Sequence, residues 1–285
     1  GVAATAGVIA WTVMVLAKTY GFTYSAATPE PLAAPQANMM KLVIDGIEIE
    51  ADEGQTIYEA AASAGIEIPT LCHNDAVEHY ASCRVCIVEI SDGKGWSKIV
   101  TSCNYEVWDG LHVDTQSEHV LEARRTVLDL ILSAHPNAKP VQELAAHYGV
   151  TEPSYTGDPK DDCILCGLCV RVCDQVVGVS ALGFSSRGPA RKMVSPFLDP
   201  SPTCIGCGSC VYVCPTQCLH IVDEGNKRIL YKQNRENVFK EFELLPCLNC
   251  GKHFLPKEQL DYVQKKFKLP RKIVQTCPTC GGPKV

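Results

Sequence analysis

The chain has 285 residues, 46% of them hydrophobic, and a formal net charge of −6. That length supports two or three small domains, and the charge argues against a nucleic-acid surface. Seventeen cysteines, odd in number and grouped in C-x2-C pairs, fit metal ligation in a reducing, cytoplasmic compartment and not a secreted disulfide scaffold.

Residues 2–17, VAATAGVIAWTVMVLA, carry no charge. A membrane-spanning helix needs about 20 apolar residues, so this short run reads as a membrane anchor, a helix packed on a partner, or a poorly ordered extension. If it inserts, Lys18 on its C-terminal flank suits membrane association on the cytoplasmic side. A Pro/Ala linker, residues 29–38, follows. Leu42–Ile44 and Ile47–Ala51 then read as a hairpin about Asp45-Gly46, a pair suited to a primed two-residue turn. Thr56 and Glu59 form a capping-box pair opening a helix over Ile57–Ala64, which Gly65 ends. A hairpin, a helix laid across it, and then loop cysteines is a β-grasp layout.

The loop carries Cys72, Cys83 and Cys86, and Cys103 follows the strand predicted at Ile87–Ile90, giving C-x10-C-x2-C-x16-C. This differs from the C-x4-C-x2-C of plant-type ferredoxins, although four thiolates suit a 2Fe–2S rhomb equally well. The spacing is long and uneven for zinc. The stretch PTLCHND…SCRVCIVEI…TSC…GLHVDTQS resembles the N-terminal 2Fe–2S domain of the large iron–sulfur subunit of respiratory complex I. It is equally similar to the corresponding electron-transfer subunits (diaphorase small subunit type) of NAD-linked hydrogenase and formate dehydrogenase complexes. The resemblance runs from Lys41 to Asp223. It implies that Cys72, Cys83, Cys86 and Cys103 are 2Fe–2S ligands.

Glu118–Ala134 reads as an amphipathic helix with Val120, Leu121, Leu128 and Ile131 on its apolar side and Arg124 and Arg125 on the other. His135-Pro136 ends it. Pro140 starts a second helix over Val141–Tyr148, and Gly149 stops it. Members of the resembled family carry one histidine and three cysteines in this connector as ligands of an extra 4Fe–4S cluster. Here His135 stands at the matching place, but Asn137-Ala138-Lys139-Pro140 follows without a cysteine. One imidazole cannot hold a cubane, so that cluster is expected to be absent.

Two runs of equal spacing come next: Cys163, Cys166, Cys169, Cys173, and Cys204, Cys207, Cys210, Cys214, with Pro215 after the second. In bacterial two-cluster ferredoxins the fourth cysteine of each run ligates the other run's cluster. Cluster A is therefore assigned to Cys163, Cys166, Cys169 and Cys214, and cluster B to Cys204, Cys207, Cys210 and Cys173. Between the runs, SSRGPARKM resembles the same segment of the hydrogenase-associated subunits. Its Arg187 and Arg191 read either as offsetting cluster charge or meeting a partner, or as ordinary exposed loop residues. Cys218 is expected to be a small buried thiol packed near cluster A, not a ligand.

Residues 233–285 lie outside the resemblance. Cys247-x2-Cys250 and Cys277-x2-Cys280 stand 26 residues apart, a spacing that reads as a four-cysteine zinc ribbon. Sulfur ligation alone leaves a further iron–sulfur cluster or a mononuclear iron open.

The expected fold class is α+β. It comprises a segment and linker (1–38), a β-grasp 2Fe–2S domain (39–117), a helical connector (118–158), a two-4Fe–4S ferredoxin domain (159–232) and a zinc-ribbon-like module (233–285). No nucleotide-binding glycine motif is present, so no catalytic site is expected in the chain itself. The resemblance implies an electron-transfer subunit between a flavin-containing, NAD(P)H-oxidising partner and a second catalytic subunit of hydrogenase or formate dehydrogenase type. The competing class is an iron–sulfur redox or oxygen sensor. Replacing His135 by alanine is expected to leave iron content unchanged. Loss of about four irons would reveal a cubane in the connector.

Overall fold

The computed structural model describes residues 38–155, 162–196, 200–233 and 238–282, so the uncharged run at 2–17 lies outside the described residues. Strands β1 (Met39–Ile44) and β2 (Ile47–Asp52) form the expected hairpin, with Ile44 opposite Ile47. Asp45 and Gly46 have φ of 50° and 81°, the left-handed pair that a type I′ turn requires. Asp45 also accepts hydrogen bonds from the Thr115 N–H and hydroxyl at 2.7 and 2.6 Å. Helix α1 (Ile57–Ser63) opens on the reciprocal Thr56–Glu59 capping box, a device that typically contributes about 1 kcal/mol. With β3 (Ile87–Ser91), β4 (Ser97–Thr101) and β5 (Leu111–Asp114), the sheet order is β2-β1-β5-β3-β4, β1 and β5 being parallel. Ile57, Ala60 and Ala61 of α1 join Ile44, Ile90 and Leu111 of the sheet in one core. Each fully buried Ile or Leu contributes about 1.5–3 kcal/mol.

Helix α2 (Glu118–Ala134) and α3 (Lys139–His147) form the connector. The second helix begins two residues earlier than predicted, with Pro140 in its first turn, where a missing N–H costs nothing. The buried face of α2 keeps Val120 and Leu128 as read from the sequence but is turned to take in Arg124. Val120, Arg124, Leu128 and Leu132 are buried, Leu121 and Ile131 only partly so, and Arg125 is exposed. Arg124 is 0% exposed. Its guanidinium donates to the carbonyls of Val85 (3.1 Å), Thr115 (3.3 Å) and Ile87 (2.7 Å) and lies over the Tyr148 ring. Three backbone acceptors that would otherwise be buried without donors outweigh the pattern that puts charge outside. Leu128, Leu132, Val141 and Ala145 share a core with Leu71 and Val85 on one side and Leu168 and Val172 on the other. The connector is thus an apolar bridge.

The second half opens with α4 (Leu168–Arg171) and a π-helical turn (Val172–Val177). A small hairpin, β6 (Gly183–Ser185) with β7 (Lys192–Val194), follows, and then α5 (Ser209–Tyr212). Strands β8 (Leu219–Glu224), β9 (Lys227–Lys232), β10 (Val238–Pro246) and β11 (His253–Pro256) make one antiparallel sheet in sequential order. The boundary read at 232/233 therefore falls inside a sheet, because β10 pairs with β9. Helices α6 (Lys257–Phe267) and α7 (Arg271–Val274) close the chain over a small core of Leu255, Leu260 and Val274. Among the described residues, no helix is long and apolar enough to cross a membrane.

Exchanging Arg124 for methionine keeps its apolar bulk but removes all three donors. The expected cost is about 2–4 kcal/mol of unfolding free energy. A denaturant titration showing a change below about 0.5 kcal/mol would mean that the guanidinium does not hold these carbonyls.

Candidate metal centres

Strand pairing assembles the first cysteine set. Ile87 stands opposite Thr101 in the β3–β4 ladder, so Cys86, just before β3, and Cys103, just after β4, meet at its end. Ser102 ties the pair by donating its N–H (3.0 Å) and its hydroxyl (2.8 Å) to the Cys86 carbonyl. Cys72 and Cys83 come from the preceding loop, where the Cys83 N–H donates to the Cys72 sulfur at 3.4 Å. All four cysteines are buried. A hydrogen bond from the Cys72 thiol lowers Cys83 to about 6, and one from Cys103 lowers Cys86 to about 7. Their partners are pushed up correspondingly. Two of the four sulfurs are thereby readied as thiolates near neutral pH, the form that binds metal.

This loop packs directly on the first ferredoxin-like run. Arg171, buried in α4, donates to the carbonyl of Cys72 at 2.7 Å and to that of Glu78, and its guanidinium lies over the Tyr80 ring. Gln175 accepts from the Glu78 N–H at 2.9 Å, and the Tyr80 hydroxyl accepts from Arg191 at 3.0 Å. Arg191 also stacks on Phe184, 4.2 Å from the ring centroid, whereas Arg187 is exposed. The sequence reading missed Arg171 and Tyr80. Arg171 is the only charged residue between Cys163 and Cys173, which is the signal that could have found it.

The two runs share a backbone design. Gly167 and Gly208, each following the second cysteine of its run, have φ of 76° and 80° and cap α4 and α5. This left-handed step turns the chain so that the third thiol faces the first two. Cys163, Cys166 and Cys169 line one cavity together with Cys214 from the second run, and Cys218 lines it too. Burial pushes Cys166 up to about 12 and Cys169 well above the ordinary range. A hydrogen bond from Cys218, with sulfurs 3.6 Å apart, holds Cys214 down to about 5. Cys173, in the π-helical turn, accepts from the Ala181 N–H at 3.2 Å. Burial raises its thiol, and proximity to Cys207 and Cys204 adds to this. Cys210 is raised by burial and then by Cys207, Cys204 and Cys173.

The C-terminal elements grip the second run. Lys240 on β10 donates to the carbonyls of Ser201 and Cys204, both at 3.0 Å. Arg228 bridges the carbonyls of Gly206 and Phe254 at 3.1 and 3.2 Å. Phe242 and Pro256 lie so close to Gly206 that a Cβ there would meet them at 3.1 Å. From α6, Tyr262 and Lys266 both donate to the Val177 carbonyl, at the end of the π-helical turn that carries Cys173.

In the last set, Cys247 follows β10 and Cys277 follows α7. The sulfurs of Cys247, Cys250, Cys277 and Cys280 all lie within 4.8 Å of one another. Four sulfurs each about 2.3 Å from one tetrahedral ion would be about 3.8 Å apart, so the set suits a single ion. The N–H groups of Asn249 (3.4 Å) and Cys277 (3.3 Å) donate to the Cys247 sulfur. Donation led by Cys277 lowers Cys247 to about 6.

Residues 37–118 match the family model described as a 2Fe-2S iron-sulfur cluster binding domain. The chain is 34% identical over 177 residues to an NADH-quinone oxidoreductase protein of Rhizobium meliloti. It is 36% identical over 180 residues to the HndD component of the NADP-reducing hydrogenase of Solidesulfovibrio fructosivorans. Residues 37–118 thus carry a 2Fe-2S iron–sulfur cluster binding domain, and the chain is similar to components of NAD(P)-linked oxidoreductases. Each alignment covers 53% of this chain, but only 20% of the first relative and 30% of the second. A crystal structure of NAD+-reducing [NiFe]-hydrogenase aligns at 30% identity over 55% of this chain and 75% of its own, with a TM-score of 0.49.

Exchanging Cys247 for serine removes the sulfur that both backbone donors address. The variant is expected to lose about one metal equivalent per chain and to become protease-sensitive within 247–282, while the β1–β5 core stays protected. Unchanged metal content by mass spectrometry would show that these four thiols hold no ion.

Proposed function

We propose that the chain is an iron–sulfur electron-transfer subunit of a multi-subunit, NAD(P)-linked oxidoreductase. It relays electrons between a flavin-containing, NAD(P)H-oxidising subunit and a second catalytic subunit of hydrogenase or formate dehydrogenase type. In this reading Cys72, Cys83, Cys86 and Cys103 hold a 2Fe–2S cluster in a β-grasp domain. Cys163, Cys166, Cys169 and Cys214 hold one 4Fe–4S cluster, and Cys204, Cys207, Cys210 and Cys173 hold a second. Cys247, Cys250, Cys277 and Cys280 hold zinc in a ribbon-like module. Such clusters supply one-electron transfer, with potentials set by burial, charge and hydrogen bonds to sulfur.

The observation that carries the reading is the joint at Arg171. One side chain from the first ferredoxin-like run donates to the backbone of Cys72, so the first two cysteine sets share one packed boundary. The protein's own groups suit negatively charged centres. Arg124 brings a buried cation beside Cys86, Arg171 one beside Cys72, and the half-buried Lys240 a third beside Cys204. A nearby cation favours the more negative, reduced form of such a centre. The four-sulfur spacing of the last set and its distance in sequence from the others support a structural ion there. Cysteines in this number suit a reducing, cytoplasmic location.

Anaerobically purified chain is expected to hold about ten irons, two plus eight from the ligand count, and one zinc. By itself it should not oxidise NAD(P)H. With a flavin-bearing NAD(P)H dehydrogenase subunit added, NADH should bleach its visible absorption. Brisk NADH oxidation by the flavin-free chain alone, or no bleaching with the partner in the isolated native complex, would overturn the proposal.

A further inference from the structure

Five thiols, not four, line the cavity assigned above to cluster A, and a cubane takes only four. Cys214 lies just beyond α5, and Cys218 immediately precedes β8. Between them the chain doubles back: the Gln217 N–H donates to the Cys214 carbonyl at 3.2 Å, with Gln217 itself at φ 53°. That turn sets the two sulfurs 3.6 Å apart. Both line the same cavity as Cys163, Cys166 and Cys169. Cys218 is the better shielded of the two, at 4% exposure, whereas Cys214 is only partly buried.

We propose that Cys218 is a reserve ligand for the cluster A site, able to bind the fourth iron when Cys214 is lost or chemically blocked. The inference rests on the assignment of Cys163, Cys166, Cys169 and Cys214 to a 4Fe–4S cluster. The exchange needs no oxidant or reductant. Cys218 binds the iron as a thiolate, its thiol proton passing to the Cys214 thiolate it displaces or, where Cys214 is absent or blocked and the iron site stands open, to solvent. Because the two sulfurs are already in contact, a change in side-chain rotamer at Cys218 moves its sulfur toward the position that Cys214 vacates. The turn between them keeps both on the same wall of the cavity.

The test uses the full chain, purified anaerobically, with iron content and reduced-state EPR as readouts. Wild type and Cys218→Ala should each hold about ten irons. Cys214→Ala should also keep about ten, with one cubane signal altered in shape but not in amount. The double variant Cys214→Ala/Cys218→Ala should fall to about six, or to about nine with a three-iron signal. Such a fall in Cys214→Ala alone would overturn the proposal, and so would a double variant that keeps its full iron. Cys214→Ser provides a second comparison with less disturbance of the loop, and the separate 2Fe–2S signal marks chains that have folded. Wild-type chain with only about six irons would instead overturn the four-thiolate assignment, and the reserve ligand with it.

Discussion

Arg124 and Arg171 use their charge in the same way: both are buried, and both donate to backbone carbonyls that belong to or flank cysteines. Arg124 reaches the carbonyls of Val85 and Ile87, on either side of Cys86. Arg171 reaches that of Cys72 itself. A cysteine loop around a metal centre turns its N–H groups inward toward sulfur, which leaves carbonyls pointing outward into whatever covers the loop. If apolar side chains alone covered it, those acceptors would be buried without donors, at about 1–3 kcal/mol each. A guanidinium has five donors in one plane and can satisfy several carbonyls at once. Burying its charge is costly in turn, and neighbouring thiolates offset that cost. The arrangement of α2, α4 and the first cysteine loop depends on this exchange.

The same logic holds in the second half with different residues. Lys240 and Arg228 come from β10 and β9 and cap the carbonyls of the Cys204–Cys207 loop. Tyr262 and Lys266 cap the end of the turn that carries Cys173. The C-terminal elements are therefore a brace for the second run, through a sheet that continues β8 and β9 into β10 and β11. An ion at Cys247–Cys280 would act at one remove, by fixing β10, α6 and α7 relative to each other.

Signals that work over a few residues were legible in the chain itself. The Asp45-Gly46 turn, the Thr56–Glu59 box, the helix over Glu118–Ala134 and the C-x2-C spacings depend on neighbours in sequence, because turn conformation, end capping and loop spacing are local constraints. The 2Fe-2S domain was legible for the same reason, its cysteines lying in a fixed frame of apolar strand residues.

Tertiary structure alone decided that Arg124 lies on the buried face of α2, that one sheet runs across 232/233, and that the Cys214 and Cys218 sulfurs touch. Arg124 looked like a surface residue because charge normally seeks water. It is buried because carbonyls at Val85 and Ile87, well over thirty residues away, need donors. The expected break at 232/233 vanished because strand pairing, unlike composition, runs across it. Cys218 was expected as a buried thiol near cluster A, and the reversal of the chain at Gln217 adds that its sulfur lies 3.6 Å from that of Cys214. Sequence fixes what a residue offers chemically and how its near neighbours turn. Which unsatisfied group it finally meets is a long-range matter, settled only when the layers pack.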